Sequence, residues 1–462
     1  MNIKGIIEKV AGKKVIAFEE DGFVDLWKQW YKGDVGSFHN YKIYNGEQWV
    51  SCKRKTLNMP KKVCEDWANL LLNEKTDIAI EGDENQETIN RLFTDLKFWS
   101  KGNAGVEKTF ALGTGAFVES ITDDKKPKIQ FVNREKIYPL TIEDGEITEC
   151  AFANENTNSA VIQIHYIEED NYVIRTLICE KNGEDIVTHF GDVDKDITFY
   201  TGSNIKWFQI LQPNIVNNID INSPLGISVF ANARSVLEGV DLAYDGFCEE
   251  MNLGKPRIFV DVQLTKYDNG GEHKVFDNRD TAFYVYGNGE NDNKEPLKFY
   301  NPTLRTNDFF IGINNGLNLL SAKCGFGENH YRFDGSGITT ATQVISENSE
   351  MFRTLKKHEI VLQEVLIDAV KALIYICNTY GDGEYNFSPN AWDNVNIEIK
   401  FDDSIIEDKE TQKLSDRQDV NLNVMSKAEY RSKWYNEDLD TAKANIDAIR
   451  NETPDVTNFF SE

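Results

Sequence analysis

The segment from Phe326 to Gly381 reads FGENHYRFDGSGITTATQVISENSEMFRTLKKHEIVLQEVLIDAVKALIYICNTYG. Its first fifteen residues are polar, aromatic and glycine-containing, whereas the remainder has no glycine or proline before Gly381. That pattern predicts a single helix from about Thr340 to Tyr380, ~40 residues and roughly 60 Å long. The segment lacks strict heptads, and charged residues interrupt its most apolar part, so a coiled coil and a membrane span are both disfavoured. The helix therefore indicates a large assembly.

A second helix is predicted from INSPLGISVFANARSVLEGVDLAYDGFCEEMNLGKP. Ser223 can cap its start and Pro224 can occupy its first turn, while Gly254 and Pro256 end it after about 27 residues. Apolar residues follow one helical face from Val229 onwards. A third helix is expected over TNDFFIGINNGLNLLSAKCGFG.

Residue spacing predicts an acidic face on the second helix and a close packing surface on the third. Asp241, Asp245 and Glu249 recur every four residues, which predicts an acidic face on the second helix. Gly312 and Gly316 of the third helix lie one turn apart, which permits close helix packing at a cost of about 1 kcal/mol each relative to alanine.

Alternating β-branched and aromatic runs dominate the first 225 residues and return between the second and third helices. Charged turns separate the runs, and no β-α-β alternation is present, so antiparallel strands are expected instead of a parallel nucleotide-binding sheet. Two amphipathic helical segments, one after Pro60 and one over Glu87 to Trp99, precede the strands. A strand near Ile397 and an acidic, mostly helical tail close the chain. The predicted fold class is α+β.

Charge and cysteine usage exclude several classes of protein. The net charge is −26, from 76 acidic and 50 basic residues, which disfavours a protein that grips nucleic acid by neutralising phosphates. The seven cysteines lie far apart without C-x-x-C spacing, so we expect reduced and mostly buried thiols. The first residues, MNIKGIIEKVAGKK, do not have the apolar run of a signal peptide.

Catalytic and cofactor motifs are weak throughout. The GTGAF run at Gly113 is interpreted as a tight turn, and His358-Glu359 lacks the second histidine of a zinc motif. We therefore expect no enzyme activity, no cofactor and no catalytic or metal site. One alternative stays open, in which an acidic turn binds a divalent ion, although a solvated turn is favoured. Its carboxylates are Asp402, Asp403, Glu407 and Asp408.

The loop from Glu328 to Thr340 is longer than a typical connection between helices, which has 2 to 8 residues. It contains one arginine, Arg332, and a loose Gly-Ser-Gly sequence. Its position between two helices favours a functional role.

Three runs resemble the portal proteins of long-tailed bacteriophages of Gram-positive hosts. They are SPLGISVFANARSVLEGVDLAYD, FDGSGITTATQVISENSEMFRTLKKHE and FDDSIIEDKETQKLSDRQDVNLNVMSKAEYRSKWY. The resemblance, which includes WYKG at Trp30, covers nearly the whole chain. One departure is NLNVMSKAEY, where the family has a glycine, and it affects the expected turn of the tail.

The resemblance implies a portal fold with named regions. The wing is mixed α/β and covers residues 1–225; a two-helix stem, 226–254 and 306–325, brackets a small β clip at 255–305. A tunnel loop follows at 326–340, then the long helix with the wing strand at 341–407, and the helical crown and tail at 408–462. The DNA-facing loop residues would be Asn329, His330, Tyr331, Arg332, Asp334, Gly335, Ser336 and Gly337, and the stem residues Asp241, Asp245, Glu249 and Lys323.

The same resemblance implies a non-enzymatic ring of about twelve subunits at one capsid vertex, through which DNA is packaged and ejected. Implied partners are the terminase large subunit, the head-tail adaptor, the major capsid and scaffold proteins, and double-stranded DNA, but no membrane. The chain would be made in the host cytoplasm and reside in the virion. An acidic conduit would let DNA slide. Alternatives are another virion component, such as an adaptor or capsid protein, which imaging would distinguish, or an enzyme of phosphodiester chemistry, which an ATPase assay would reveal.

Overall fold

The structure is a computed structural model, and it divides the chain into two compact units. One contains residues 1–335 and 353–401, and the other contains residues 336–352 and 402–462. The residues described are 2–182, 185–188, 190–261, 283–286, 297–333, 341–388, 396–401, 409–435 and 437–452.

Helices dominate the start of the first unit. Pro60 lies in the first turn of its helix, as predicted. The segment predicted as one helix over Glu87 to Trp99 is instead parts of two helices, because Lys97 adopts a left-handed φ of 53° that breaks the chain direction. The elements are α1 (Ile3–Ala11), α2 (Asp21–Lys32), α3 (Gly36–His39), β1 (Asn40–Tyr44), β2 (Trp49–Lys53), α4 (Met59–Leu71), β3 (Asp77–Ile80), α5 (Asp83–Asp95) and α6 (Phe98–Leu112).

Antiparallel sheets follow, which confirms the prediction from the alternating runs. One sheet has the order β10-β9-β8-β7-β6 with β11 also paired to β9, and another has the order β12-β4-β5. The strands are β4 (Gly115–Ile121), β5 (Pro127–Asn133), β6 (Ile137–Glu143), β7 (Glu146–Glu155), β8 (Ser159–Glu168), β9 (Asn171–Asn182), β10 (Asp185–Val187), β11 (Asp196–Tyr200) and β12 (Phe208–Leu211).

Two hydrophobic clusters hold these sheets. Ile3, Ile6 and Ile7 of α1 are buried in a cluster with residues of β6 to β9. The other cluster joins strand residues to the long helix, where Tyr375 and Ile376 are buried beside Trp207 and Phe208. The clusters explain why the alternating strands form, since each apolar face is covered.

The helix predicted from Ser223 begins ten residues later than expected. Residues 231–233 form a short 3-10 turn, and α7 runs from Arg234 to Leu253. The Ser223 hydroxyl donates to Glu20 and does not cap a helix. The preceding segment is instead bound to the end of α6, since the Gly226 amide donates to Thr114 Oγ1 at 3.1 Å and the Val229 amide to the Phe110 carbonyl at 3.0 Å.

The three strand runs predicted after α7 are strands, and the later helices agree closely with prediction. Strands β13 (Arg257–Asp261), β14 (Phe283–Tyr286) and β15 (Leu297–Tyr300) form one sheet in the order β14-β13-β15. Strand β13 pairs antiparallel with β15 but parallel with β14, so the expectation of antiparallel strands is wrong for that pair. Helix α8 spans Thr306–Lys323 and α9 spans Ala341–Tyr380, 40 residues without a break. The predicted strand β16 (Ile397–Lys400) pairs with β3, which ties it to the first unit.

The second unit contains the tail helices α10 (Lys409–Asn421), α11 (Lys427–Tyr435) and α12 (Leu439–Glu452), as expected of a helical tail. Between α10 and α11, Asn423 has a φ of 57°, a conformation that asparagine tolerates better than most residues. The turn for which the resemblance expected a glycine is therefore made by an asparagine.

The seven cysteines are free thiols and five of them are buried, which confirms the expectation. Within the described residues, no helix combines the length and the apolar composition that a bilayer crossing needs.

Candidate functional site at helices α7 and α8 and the turn that follows α8

Helices α7 and α8 pack closely where glycine removes a side chain. A Cβ on Gly316 would lie 2.7 Å from Val240, and a Cβ on Gly246 would lie 2.8 Å from the Phe309 ring. The predicted role of Gly316 is thus confirmed. Gly312 faces open space, so its predicted role in packing is wrong.

The acidic face predicted on α7 is not exposed where it was expected. Asp241 is 3% exposed and Asp245 is 8% exposed. Asp241 accepts hydrogen bonds from the Leu57 amide at 2.9 Å and the Thr56 hydroxyl at 2.8 Å. Asp245 accepts one from the Lys55 amide at 2.9 Å. These two carboxylates anchor residues 55–57 to α7, while Glu249 and Lys323 are exposed.

His39 completes the Asp241 cluster in a defined tautomer. Its Nδ1 lies 2.8 Å from the Val35 amide nitrogen, which can only donate, so Nδ1 must be the acceptor. The ring proton therefore sits on Nε2, which is 3.1 Å from Asp241 Oδ2. A neutral histidine thus satisfies both partners, and Asp241 accepts three hydrogen bonds, from two side chains and one backbone amide.

Helices α7 and α8 also expose apolar side chains that take no part in this packing. Ile311 and Leu319 of α8 are each 59% exposed, and Leu242 of α7 is 54% exposed. Where α7 ends and α8 begins, Arg305 binds the Glu250 carboxylate through Nη2 at 2.8 Å and Nε at 3.2 Å, and this pairing lowers the pKa of Glu250. Helices α7 and α8 are therefore fixed to each other, and these three apolar side chains are exposed to solvent.

A buried aromatic stack holds the turn that follows α8. The Trp67 indole donates to the Cys324 carbonyl at 3.0 Å, and its ring stacks on Phe326 at 4.4 Å between centroids. Gly325 and Gly327 have φ values of 85° and 79°, which other residues adopt only with strain. His358 of α9 contacts the Trp67 ring by its edge, and burial lowers the pKa of His358 to about 3.

The first residues of the predicted tunnel loop fold back onto this stack. Tyr331 is buried, and its hydroxyl donates to Asp66 at 2.8 Å while its amide donates to Ser321 Oγ at 3.1 Å. Burial raises the pKa of Tyr331, and the negative charge of Asp66 raises it further. The Tyr331 side chain therefore does not face the surface, contrary to prediction. His330 stacks on Phe326 at 4.4 Å, and burial lowers its pKa.

Beyond Tyr331 the chain becomes exposed. Arg332 is exposed, and Phe333 is 59% exposed with its amide bound to Asn314 Oδ1 at 3.1 Å. The segment thus runs back along α8, with Asn329 half-buried at a φ of 65°. The remaining predicted loop residues, Asp334, Gly335, Ser336 and Gly337, lie outside the described residues.

The predicted acidic turn, with Asp402, Asp403, Glu407 and Asp408, also lies outside the described residues. In the part of the chain that is described, no group of three metal-ligating side chains comes together. Sequence reasoning missed the residues that organise this site, namely His39, Thr56, Asp66 and Trp67. The run KTLNMPKKVCEDWANLLLNE contains three of the four, Thr56, Asp66 and Trp67.

Comparison with known proteins gives the class of the protein. The profile of the family described as "Phage portal protein, SPP1 Gp6-like" matches residues 23–453. The chain is thus a structural protein of the virion, of the portal class. It belongs to the SPP1 Gp6-like family of phage portal proteins.

No curated protein sequence matches the chain. Among solved structures, a chain described as "Neck of native GTA particle computed with C12 symmetry" is similar to it. The identity is 10%, the similarity covers 80% of this chain and 87% of that chain, and the TM-score is 0.40.

Proposed function

We propose that this portal protein acts as a ring of about twelve copies at one capsid vertex, and that DNA enters and leaves the capsid through the ring. The observation that carries the proposal is the uncovered apolar surface of the stem, with Leu242, Ile311 and Leu319 more than half exposed. Such residues on two rigid helices favour burial against neighbouring subunits.

The proposed regions follow the boundaries expected from the sequence, with one revision. The wing covers residues 1–225 with the strand near Ile397, the clip covers 255–305, and the crown begins near residue 408. The stem consists of α8 and of α7, whose helical part starts at Arg234. Of the acidic residues of α7, Asp241 and Asp245 bind residues 55–57 of the same subunit, and Glu249 is exposed.

The proposed partners follow from these regions and from the resemblance to portal proteins. The clip, with its small sheet, would dock the terminase large subunit and then the head-tail adaptor, while the wing and crown would meet the capsid and scaffold proteins. The host would be Gram-positive, the phage would have a long tail, and synthesis would take place in the host cytoplasm before assembly into the virion.

In the ring, the segment after Tyr331 would carry DNA contacts. Arg332 is exposed, and one copy per subunit would form a belt of positive charge in an acidic conduit. The glycines Gly335 and Gly337 would permit different loop conformations around DNA whose symmetry differs from that of the ring.

The ring is tested by measuring the mass of the purified chain. One chain has a mass of 52.8 kDa, so light scattering should give an assembly above about 500 kDa. A monomer at all micromolar concentrations and salt conditions would contradict the ring.

The loop is tested by packaging DNA into capsids with variant portals. Arg332→Glu should shorten the protected DNA while rings remain intact, because the reversed charge is present in every subunit of the ring. Lys101→Glu, an exposed residue of α6, is the control for net charge. Equal DNA lengths for both variants would assign the loop to a connecting role.

A further inference from the structure

A pocket of about 220 Å³ lies between strand β12 and the long helix α9. Strand β12 is at the end of its sheet and pairs with β4 on one side. The strand contributes residues 208–210 to the pocket, and the helix contributes Val361, Glu364, Val365 and Asp368. The turn between β6 and β7 adds a further wall. The pocket is therefore a gap between a sheet and a helix of the first unit.

Hydrogen bonds hold the two sides of this pocket together. The Asn214 amide donates to His358 Nδ1 at 3.0 Å, and the Asn214 side chain donates to the Lys357 carbonyl at 2.6 Å. Both bonds join the segment after β12 to α9, about one turn before the helix reaches the pocket. Phe208 of β12 and Ile376 of α9 also belong to one buried hydrophobic cluster. The width of the pocket is therefore fixed by the fold.

The pocket is lined by hydrogen-bond acceptors that lack a donor. Gln209 is 6% exposed, and its Nε2 donates to the Lys206 carbonyl at 3.2 Å, while its Oε1 has no partner among the described residues. The Oε1 atom of Gln212 is buried and also has no partner there. Buried amide oxygens in proteins are nearly always hydrogen-bonded. The two glutamines therefore favour a ligand that donates hydrogen bonds.

Three carboxylates complete the set of acceptors. Glu364 lines the pocket, and no cation of the described chain pairs with it. Asp368 lies one turn further along α9, and its carboxylate is 3.7 Å from Lys371 Nζ. Lys206 also lines the pocket, with its Nζ 3.7 Å from the Glu146 carboxylate. Exposed ion pairs of this kind contribute little free energy, so the paired carboxylates can still accept from a ligand.

These groups fit an organic cation. Ammonium and guanidinium groups carry several hydrogen-bond donors and no acceptor, and their bonds to carboxylates are charge-assisted. The apolar part of the lining, which includes Ile147, Phe208 and Val365, suits an aliphatic chain behind such a head group. In the described part of the chain no three metal-ligating side chains come together, so a bare metal ion fits this pocket less well.

We propose that the pocket between β12 and α9 binds an ammonium or guanidinium group carried on an aliphatic chain. The head group donates to Glu364 and to the side-chain oxygens of Gln209 and Gln212, and the aliphatic chain lies against Phe208. A basic side chain of another protein and a free diamine share this chemistry. The site lies within one subunit, so its occupation does not depend on assembly of the ring.

Isothermal titration calorimetry with the full chain tests the site. The probes are agmatine, cadaverine and N-acetylarginine amide, and pentanol is the neutral control. We expect saturable binding of at least one cation at one site per chain, and no binding of pentanol. Tighter binding of N-acetylarginine amide than of the two free amines assigns a protein side chain as the ligand, and the reverse order assigns a free diamine. If no cation gives saturable binding to the folded wild type, the proposal is wrong.

Variants locate the bound cation. Glu364→Gln should weaken binding of the tightest probe about 10-fold, as expected for the loss of one charge-assisted hydrogen bond. Lys206→Met should leave binding unchanged or tighten it, because it removes the ammonium group that competes for the pocket. Glu87→Gln changes an exposed residue of α5 that does not line the pocket, and it is the control for net charge.

The results distinguish a site from general attraction to an acidic protein. Equal weakening by Glu364→Gln and Glu87→Gln would show attraction to the net negative charge and would overturn the proposal. Circular dichroism checks that each variant is folded. If Glu364→Gln does not fold, Asp368→Asn offers a second exposed position on α9 and should weaken binding several-fold; unchanged binding by that variant would then contradict the site.

Discussion

Replacing Asp241 tests whether α7 is fixed to residues 55–57 in the way described. Asp241→Ala removes the acceptor of three donors, the buried His39 ring, the half-buried Thr56 hydroxyl and the half-buried Leu57 amide. Hydrogen bonds to a charged group contribute about 1.5–3 kcal/mol each, and the three are not additive because they share one carboxylate. We expect the free energy of unfolding to fall by about 3–5 kcal/mol.

Asp241→Asn should cost less, about 1–3 kcal/mol, because one amide oxygen still accepts while the new NH₂ group meets donors. The His39 ring cannot adapt, since its Nδ1 must accept from the Val35 amide. Urea unfolding gives the global effect, and hydrogen exchange at the Leu57 amide gives the local one.

Glu249→Gln, an exposed change on the same helix, is the control and should stay within about 0.5 kcal/mol. Wild-type stability of Asp241→Ala, with Leu57 still protected, would refute the anchoring of residues 55–57 by α7.

Two further predictions concern the core. Burial raises the pKa of Glu119 to about 8, and no other residue in the described part of the chain donates a hydrogen bond to its carboxyl group. Folding therefore keeps Glu119 protonated, and stability is lost as pH rises from about 4.5 to 8. The free energy of unfolding of Glu119→Gln should rise relative to that of the wild type by up to ~1.4 kcal/mol per pH unit in that window. If the unfolding free energies of the two proteins instead change in parallel with pH, Glu119 is not buried as a neutral acid. In α8, Gly312→Ala should stabilise the protein by up to about 1 kcal/mol because Gly312 faces open space. Gly316→Ala should destabilise it by about 1–2 kcal/mol because the new Cβ meets Val240. Equal melting temperatures for the two variants would argue against the close contact between α7 and α8.

Local patterns explain which elements the sequence predicted. Helices α8 and α9 were placed within one or two residues because each lacks a proline and carries an apolar stripe along one face. The β strands were found because their alternation reflects one covered face. The start of α7 was not, because a contact 112 residues away, between Gly226 and Thr114, holds the preceding segment.

The site was predicted less well for a similar reason. Spacing showed that Asp241 and Asp245 share a helix face, but not that a segment 184 residues earlier in the chain covers it. Likewise Tyr331 was assigned to the surface by its place in a polar loop, whereas Asp66, 265 residues away, binds its hydroxyl. Long-range partners of this kind leave no periodic signal.

The most direct test of the account is to image the purified full-length protein by electron microscopy. We expect a ring of about twelve subunits with a central channel, in which the exposed apolar residues of α7 and α8 are buried between neighbours. Particles that are single chains, or closed assemblies without a channel, would contradict it.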